Sequence, residues 1–258
     1  MNLTLIARNT FRESVRDRVL YNLIFFALLM IGSSLFIGEL AVSGEQKIIV
    51  DLGLSCLRFF GMLIAIFIGI QLVYKELERR TVYSLLARPV HRSELILGKF
   101  GGLGLTLAVN SAVMLAGIIG TLVYLERGFS PLIVPVLPAA YLLFLELLVI
   151  EALALALSTV SSPALSAVMT FLLYVVGNFS GDFKGMAQAS DSPVTSALLY
   201  ALYYLLPNLS NFSSAIGIAA HEGMVPASHV LQTTLYTVAY CGALLALAVI
   251  IFQRKDFK

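Results

Sequence analysis

Two carboxyls inside an apolar run are the residues of this sequence best placed to do chemistry. Glu146 and Glu151 interrupt the block from Val134 to Leu157. If that block crosses a bilayer, each carboxyl near its middle costs roughly 2.5–3.5 kcal/mol on insertion scales, so both must face protein or water. Five residues of helix turn them about 140° apart, so one helix face does not hold both. An ion pair or a hydrogen bond to Tyr, Ser or Asn would make them structural, whereas a polar pathway or a gate would make them functional. Glu151, further along the span, is expected to reach interfacial water or a basic residue more easily, leaving Glu146 in the costlier place. A Glu146→Gln change, which keeps the shape, is then expected to be tolerated.

Other chemistry fails on spacing. His221-Glu222 lacks the second His that a zinc-binding H-E-x-x-H requires, and "LGKFGG" has Ser93 and Phe100 where a phosphate loop needs Gly and Ser or Thr. Cys56 and Cys241 form no Cys-x-x-Cys pair and read as packing residues. No catalytic, metal or cofactor site is expected in the chain, and no nucleic-acid partner.

The elements that must position these residues follow from composition. The chain has 258 residues, 59% hydrophobic and only 12% charged, with a mean hydropathy of +0.91. Polar surface on that scale cannot cover a water-soluble globule, so lipid is the solvent. A helix needs about 20 apolar residues to cross the hydrocarbon. Runs of that kind predict six spans, at 20–38, 52–74, 100–124, 134–157, 163–181 and 230–252, within a single transmembrane domain of residues 1–258. The run "ARNTFRESVRDR" interrupts any signal-peptide core, so the first span is expected to remain as an anchor. Residues 1–19 predict a basic amphipathic helix at the membrane surface, with Leu3, Ala7, Phe11, Ser14 and Val15 on one side and Arg8, Arg12 and Arg16 on another.

Charge sets the orientation. Thirteen of the 17 Lys and Arg residues fall in the N-terminal segment, in residues 75–99 and in the C-terminal tail. With six spans these lie on one side, and the excess of basic residues marks it as cytoplasmic. Both termini are then inside, in a multi-pass protein. The stretch 75–99 is the one long cytoplasmic loop, and its helical spacing predicts that span two continues into the cytosol and stops before Pro89. These charges either solvate a loop and enforce topology or form a docking surface. On the other side, residues 182–229 contain "SALLYALYYLLP", too short to cross. Tyr200, Tyr203, Tyr204 and Pro207 mark it as a short re-entrant helix capping a pathway. Gly61, Ala65 and Gly69, and again Gly98 and Gly102, have the spacing that lets helices approach closely, within one subunit or between two.

The order Glu76, Glu78, Thr81, Leu85, Leu86, Pro89, Val90, Arg92, Glu94, Gly98, Lys99 resembles the permease subunits of type-2 ABC exporters, especially the nitrous-oxide-reductase accessory permeases. The likeness extends over almost the whole chain, with the basic N-terminus, the six spans and the short helix in "ALLYALYYLLPNLSNF". Arg80 stands where relatives usually carry Gly before the Thr. The resemblance implies that Glu76, Glu78, Arg79, Arg80, Thr81, Arg88, Pro89 and Arg92 dock on a separate ATPase subunit. It also implies that two permease copies pair with two ATPases, that ATP and Mg bind in those partners, that the first helix touches the ATPase or anchors in lipid, and that accessory proteins can join outside. A competing class, an ion- or proton-coupled carrier using Glu146 and Glu151, would carry an inverted repeat and broken mid-membrane helices. The sequence has no clear signal for either.

Overall fold

A computed structural model describes residues 3–39, 45–78, 92–190, 192–221 and 223–254. The described residues form ten helices and no strand: α1 Leu3–Val15, α2 Arg18–Glu39, α3 Glu45–Glu78, α4 Arg92–Glu126, α5 Ile133–Ser158, α6 Pro163–Asn178, α7 Ser180–Ala189, α8 Pro193–Leu205, α9 Ser210–Ala220 and α10 Ala227–Arg254. All-helical architecture is what lipid demands of an unclosed chain, since a helix satisfies its own backbone where no water can.

Four helical segments are long and apolar enough to cross a membrane, at 45–71, 93–126, 133–158 and 227–252. The bent pair α6 and α7, turned by 50° at its break, makes a fifth if it counts as one span. The 22-residue α2 contributes the shorter apolar helix Leu23–Ser34. The helix break at residues 178–180 has no Pro, and only the structure reveals it.

α5 is the centre of the bundle. Most of its residues are buried, with Val134, Leu137 and Tyr141 exposed near its start, and apolar residues lie on all its sides; it touches α3, α4, α6, α9 and α10. Close approach is bought by small residues: Gly61 of α3 faces Leu147 and Gly69 faces Ala154. These glycines therefore pack α3 against α5 within one subunit. α6 and α10 turn Leu165, Val168, Leu172, Leu231, Leu235 and Val238 outward, where they are exposed. α4 ends where Arg127 adopts left-handed backbone, φ 52, with Gly128 after it. At that end Gln46 of α3 donates to Glu126 of α4.

α1 is seated differently from the expectation. Ile6, Thr10 and Ser14 form its buried stripe, while Leu3 is 42% and Leu5 49% exposed. The reason lies on α4. Gly98, Gly101 and Gly102 leave a trough into which α1 settles, with Ile6 over Gly98 and Ala7 and Thr10 over Gly101 and Gly102. Protein, not lipid, covers that face, and Arg8, Arg12 and Arg16 point away from it, exposed.

A Cβ on Gly102 would lie 2.5 Å from the Ala7 carbonyl oxygen and 2.6 Å from the Thr10 Cβ. Gly102→Ala is therefore expected to lower stability by about 1–3 kcal/mol through overpacking and to expose α1 to proteolysis. Gly120→Ala on the same helix, with nothing within 4 Å, should leave both unchanged. Thermal unfolding in detergent and limited proteolysis measure the difference.

Candidate functional site

The two carboxyls of α5 have found opposite environments. Glu146 is fully buried and takes Arg58 of α3: Arg58 Nε donates to its two oxygens at 3.1 and 2.9 Å, and Nη2 donates to Oε1 at 2.7 Å. The same Nη2 donates to Asn178 Oδ1, and the guanidinium carbon lies 5.6 Å from the ring centre of Tyr174. Asn178 in turn donates through Nδ2 to the Tyr174 carbonyl at 2.9 Å. Because Asn178 is the last residue of α6, the ion pair ties α3 and α5 to the point where α6 breaks.

Arg58 was not expected here. Span two was expected to begin at residue 52, which puts Arg58 near its end. The helix begins at Glu45, so Arg58 lies about 20 Å along it by the standard rise, deep in the apolar segment. An intramembrane Arg and an intramembrane Glu each need a partner, and that mutual need was the available signal. Nothing in the sequence singled out Asn178 or Tyr174.

Glu151 reverses the expected order of cost. It is fully buried and neither oxygen has a hydrogen-bond partner. Its neighbours are Ile64, Ala65 and Ile68 of α3 and Leu103, Thr106 and Leu107 of α4. The Thr106 hydroxyl, the polar group of that lining, donates to the Gly102 carbonyl at 3.0 Å. Burial of α5 in its neighbours keeps Glu151 from the interfacial water that depth alone seemed to offer.

At the end of the bundle away from Glu78 and Arg92, the segment expected to hold one short helix forms two, α8 and α9. α8 carries Tyr200, Tyr203 and Tyr204, none fully buried, with Tyr204 78% exposed. It lies over α7, and Lys184 Nζ stands 5.7 Å from the Tyr203 ring centre. The more buried of the two is α9, which buries Phe212, Ala215, Ile216 and Ala219 and packs on α5 and α3. Pro207 and Asn208 join the two. The Pro207 carbonyl occupies the space beside Gly177 where a Cβ would come within 2.8 Å. Asn208 N–H donates to the Tyr236 hydroxyl at 2.8 Å, its Oδ1 accepts from Ser180 and Ser210 at 2.7 Å each, and its Nδ2 donates to the Tyr203 hydroxyl at 3.4 Å. The small residues of "SNFSSAIGIAA" were the missed sign of close packing.

Around this end a cleft of about 540 Å³ lies between Lys47, Ile48, Asp51 and Leu52 of α3 and Gly217, Ala220 and His221. His221 Nδ1 is 2.9 Å from the Gly217 carbonyl oxygen and His229 Nε2 is 3.0 Å from that of Asn211. Among the described residues no three His, Cys, Asp or Glu side chains form a metal-binding group. Of the loop residues, Glu76 and Glu78 end α3 and Arg92 begins α4. Arg79, Arg80, Thr81, Arg88 and Pro89 lie outside the described residues.

The described residues thus form an all-helical apolar bundle in which the Arg58–Glu146 pair ties α3 to α5, with the long helices α3 and α4 on either side of residues 79–91. A family model described as "ABC-2 family transporter protein" matches residues 4–257. The chain belongs to the ABC-2 transporter family and is a transmembrane subunit of an ABC transporter. It is similar to the "Probable ABC transporter permease protein NosY" of Pseudomonas aeruginosa, 31% identical with 97% of each chain covered. The resemblance read from residues 76–99 is thereby borne out.

The ion pair changes the forecast for Glu146. Removing one partner of a buried pair leaves an uncompensated charge, at a cost of about 3–5 kcal/mol. Glu146→Leu and Arg58→Met should each reduce folded protein strongly, and so should Glu146→Gln. The double variant Arg58→Met, Glu146→Leu should recover most of the loss. A double-mutant cycle on thermal stability in detergent measures the coupling, and additive losses would contradict it.

Proposed function

We propose that this chain is the permease subunit of an ATP-driven exporter in a bacterial cytoplasmic (inner) membrane. It acts as a homodimer with two copies of a separate ABC ATPase, which bind ATP and Mg. Each copy crosses six times, with α2 as the first span and α6 with α7 as the fifth, and both termini are cytoplasmic. Lipid surrounds the permease pair, and the outer face is free to receive accessory proteins.

The observation that carries this reading is the length of the two helices flanking residues 79–91. α3 has 34 residues and α4 has 35, about 50 Å each by the standard rise, against a hydrocarbon core of about 30 Å. The apolar part of α3 ends at Gln71, and seven more residues continue the helix to Glu78. Helices that project beyond the membrane on both sides of a charged loop can transmit a push applied there. α1, seated on Gly98 and Gly102, joins the return helix α4 in the same rigid unit, so Arg8, Arg12 and Arg16 become part of one cytoplasmic surface.

An ATPase moves a membrane domain only through contacts that differ between its two nucleotide states. Glu76, Glu78, Arg79, Arg80, Thr81, Arg88, Pro89 and Arg92 supply that contact in this reading. Closure of the ATPases pushes on the loop, tilts α3 and α4, and switches the pathway between the two copies. The competing reading, a secondary carrier using both carboxyls, is weakened by Arg58, which already neutralises Glu146.

Reversing the charge at Glu76, Arg88 or Arg92 places like charges together in the docking surface, which costs several kcal/mol. ATPase co-purification and ATP turnover are expected to fall while permease abundance stays near normal. Normal binding and turnover in all three variants would return the loop to a solvating role. Single cysteines, introduced after replacing Cys56 and Cys241, check the topology: positions 43 and 191 should react with an impermeant reagent from outside, and positions 84 and 258 only from inside.

A further inference from the structure

Glu151 points to a property beyond the exporter reading, and only its link to a transport cycle rests on that reading. A carboxylate stripped of water needs a cation or several donors. A buried ion without them costs so much that the group takes the neutral form instead. No such partner is present: among the described residues neither Glu151 oxygen accepts a hydrogen bond. The space around it between α3, α4 and α5 has no room for a water-sized occupant. Its walls on α3 are Ile64, Ala65 and Ile68, and on α4 they are Leu103, Thr106 and Leu107. Beyond them, Cys241 of α10 is the titratable group within electrostatic reach. Lys99 is the nearest basic residue along α4, five positions before Gly104, whose Cβ would lie 3.7 Å from Glu151 Oε2. The other carboxyl of α5, Glu146, is committed to Arg58.

We infer that Glu151 is a proton-binding site, holding its proton while α3, α4 and α5 are packed as here. The carboxyl then fits an apolar seam at a modest cost, where a carboxylate would force the seam open to water. Conversely, any motion that parts the seam hydrates the group and lets the proton leave. A subunit whose transport cycle separates these helices therefore binds and releases one proton per copy at this position, on the seam between the helix that enters the charged loop and the helix that leaves it.

Infrared spectroscopy of the full chain in lipid nanodiscs tests this directly. At neutral pH the wild-type protein should show the carbonyl band of a protonated carboxylic acid. Glu151→Gln and Glu151→Leu should each lose it, and both should fold, because neither leaves a charge without its partner. Should the Gln variant fail to fold, the Leu variant alone decides. On transfer to heavy water the band should shift slowly, since the closed seam excludes solvent. A spectrum in this region that is unchanged in the Glu151 variants would overturn the inference. So would a shift complete within the mixing time.

Discussion

A charge placed in hydrocarbon has to be answered from within the protein, and the Arg58–Glu146 pair is where this bundle answers it. Two nitrogens of one guanidinium meet both oxygens of one carboxylate, the fork geometry in which Arg pairs best. The remaining donor capacity reaches Asn178. Hydrophobic burial gives little preference for one helix over another in lipid, since lipid is as apolar as the helices themselves. A pair of this kind supplies the missing specificity, because only one register of α3 and α5 closes it. Its attachment at the end of α6 also fixes where the span breaks and α7 departs.

Around that tie, packing is governed by where backbones can approach. Gly61 and Gly69 bring α3 onto α5, and Gly98, Gly101 and Gly102 bring α1 onto α4. The same device thus serves two ends: one set holds the intramembrane core, and the other fastens a basic surface helix to the helix that leaves the charged loop. Asn208 does comparable work at the opposite end, gathering α7, α8, α9 and α10 through donors and acceptors that lipid could not satisfy.

Length and polarity alone made much of this fold legible. Continuous apolar runs marked the spans now seen as α3, α4, α5 and α10, because a helix in hydrocarbon has little other option. What escaped was set by partners distant in sequence. Arg58 and Glu146 are separated by 88 positions, and neither names the other in the chain. α1 showed an amphipathic pattern, but its true face depended on a glycine trough nearly a hundred residues away. α9 has too little hydrophobic contrast to stand out, since Ala, Gly and Ser pack well without looking apolar. The short run at Tyr200–Tyr204 drew notice for its aromatic residues, yet its neighbour α9 is the one buried against α3 and α5. Family membership was legible in the loop motif, whose residues from Arg79 to His91 lie outside the described structure.

Glu146 and Glu151 show how one helix accommodates two ionisable groups in the same solvent. Their angular separation directs Glu146 toward α3 and the end of α6, and Glu151 into the seam of α3 with α4. Depth did not decide which was easier to bury, because α5 is enclosed by its neighbours at both positions, although Val134, Leu137 and Tyr141 earlier in the helix are exposed. The available neighbours decided instead. Beside Glu146 a guanidinium makes the charged form the fitting one and makes the contact rigid. Beside Glu151 there are aliphatic walls and a hydroxyl already donated to Gly102, so the contact holds only while water is kept out. The first carboxyl ties α3 to α5, and the second lies in their seam with α4 without a hydrogen-bond partner among the described residues.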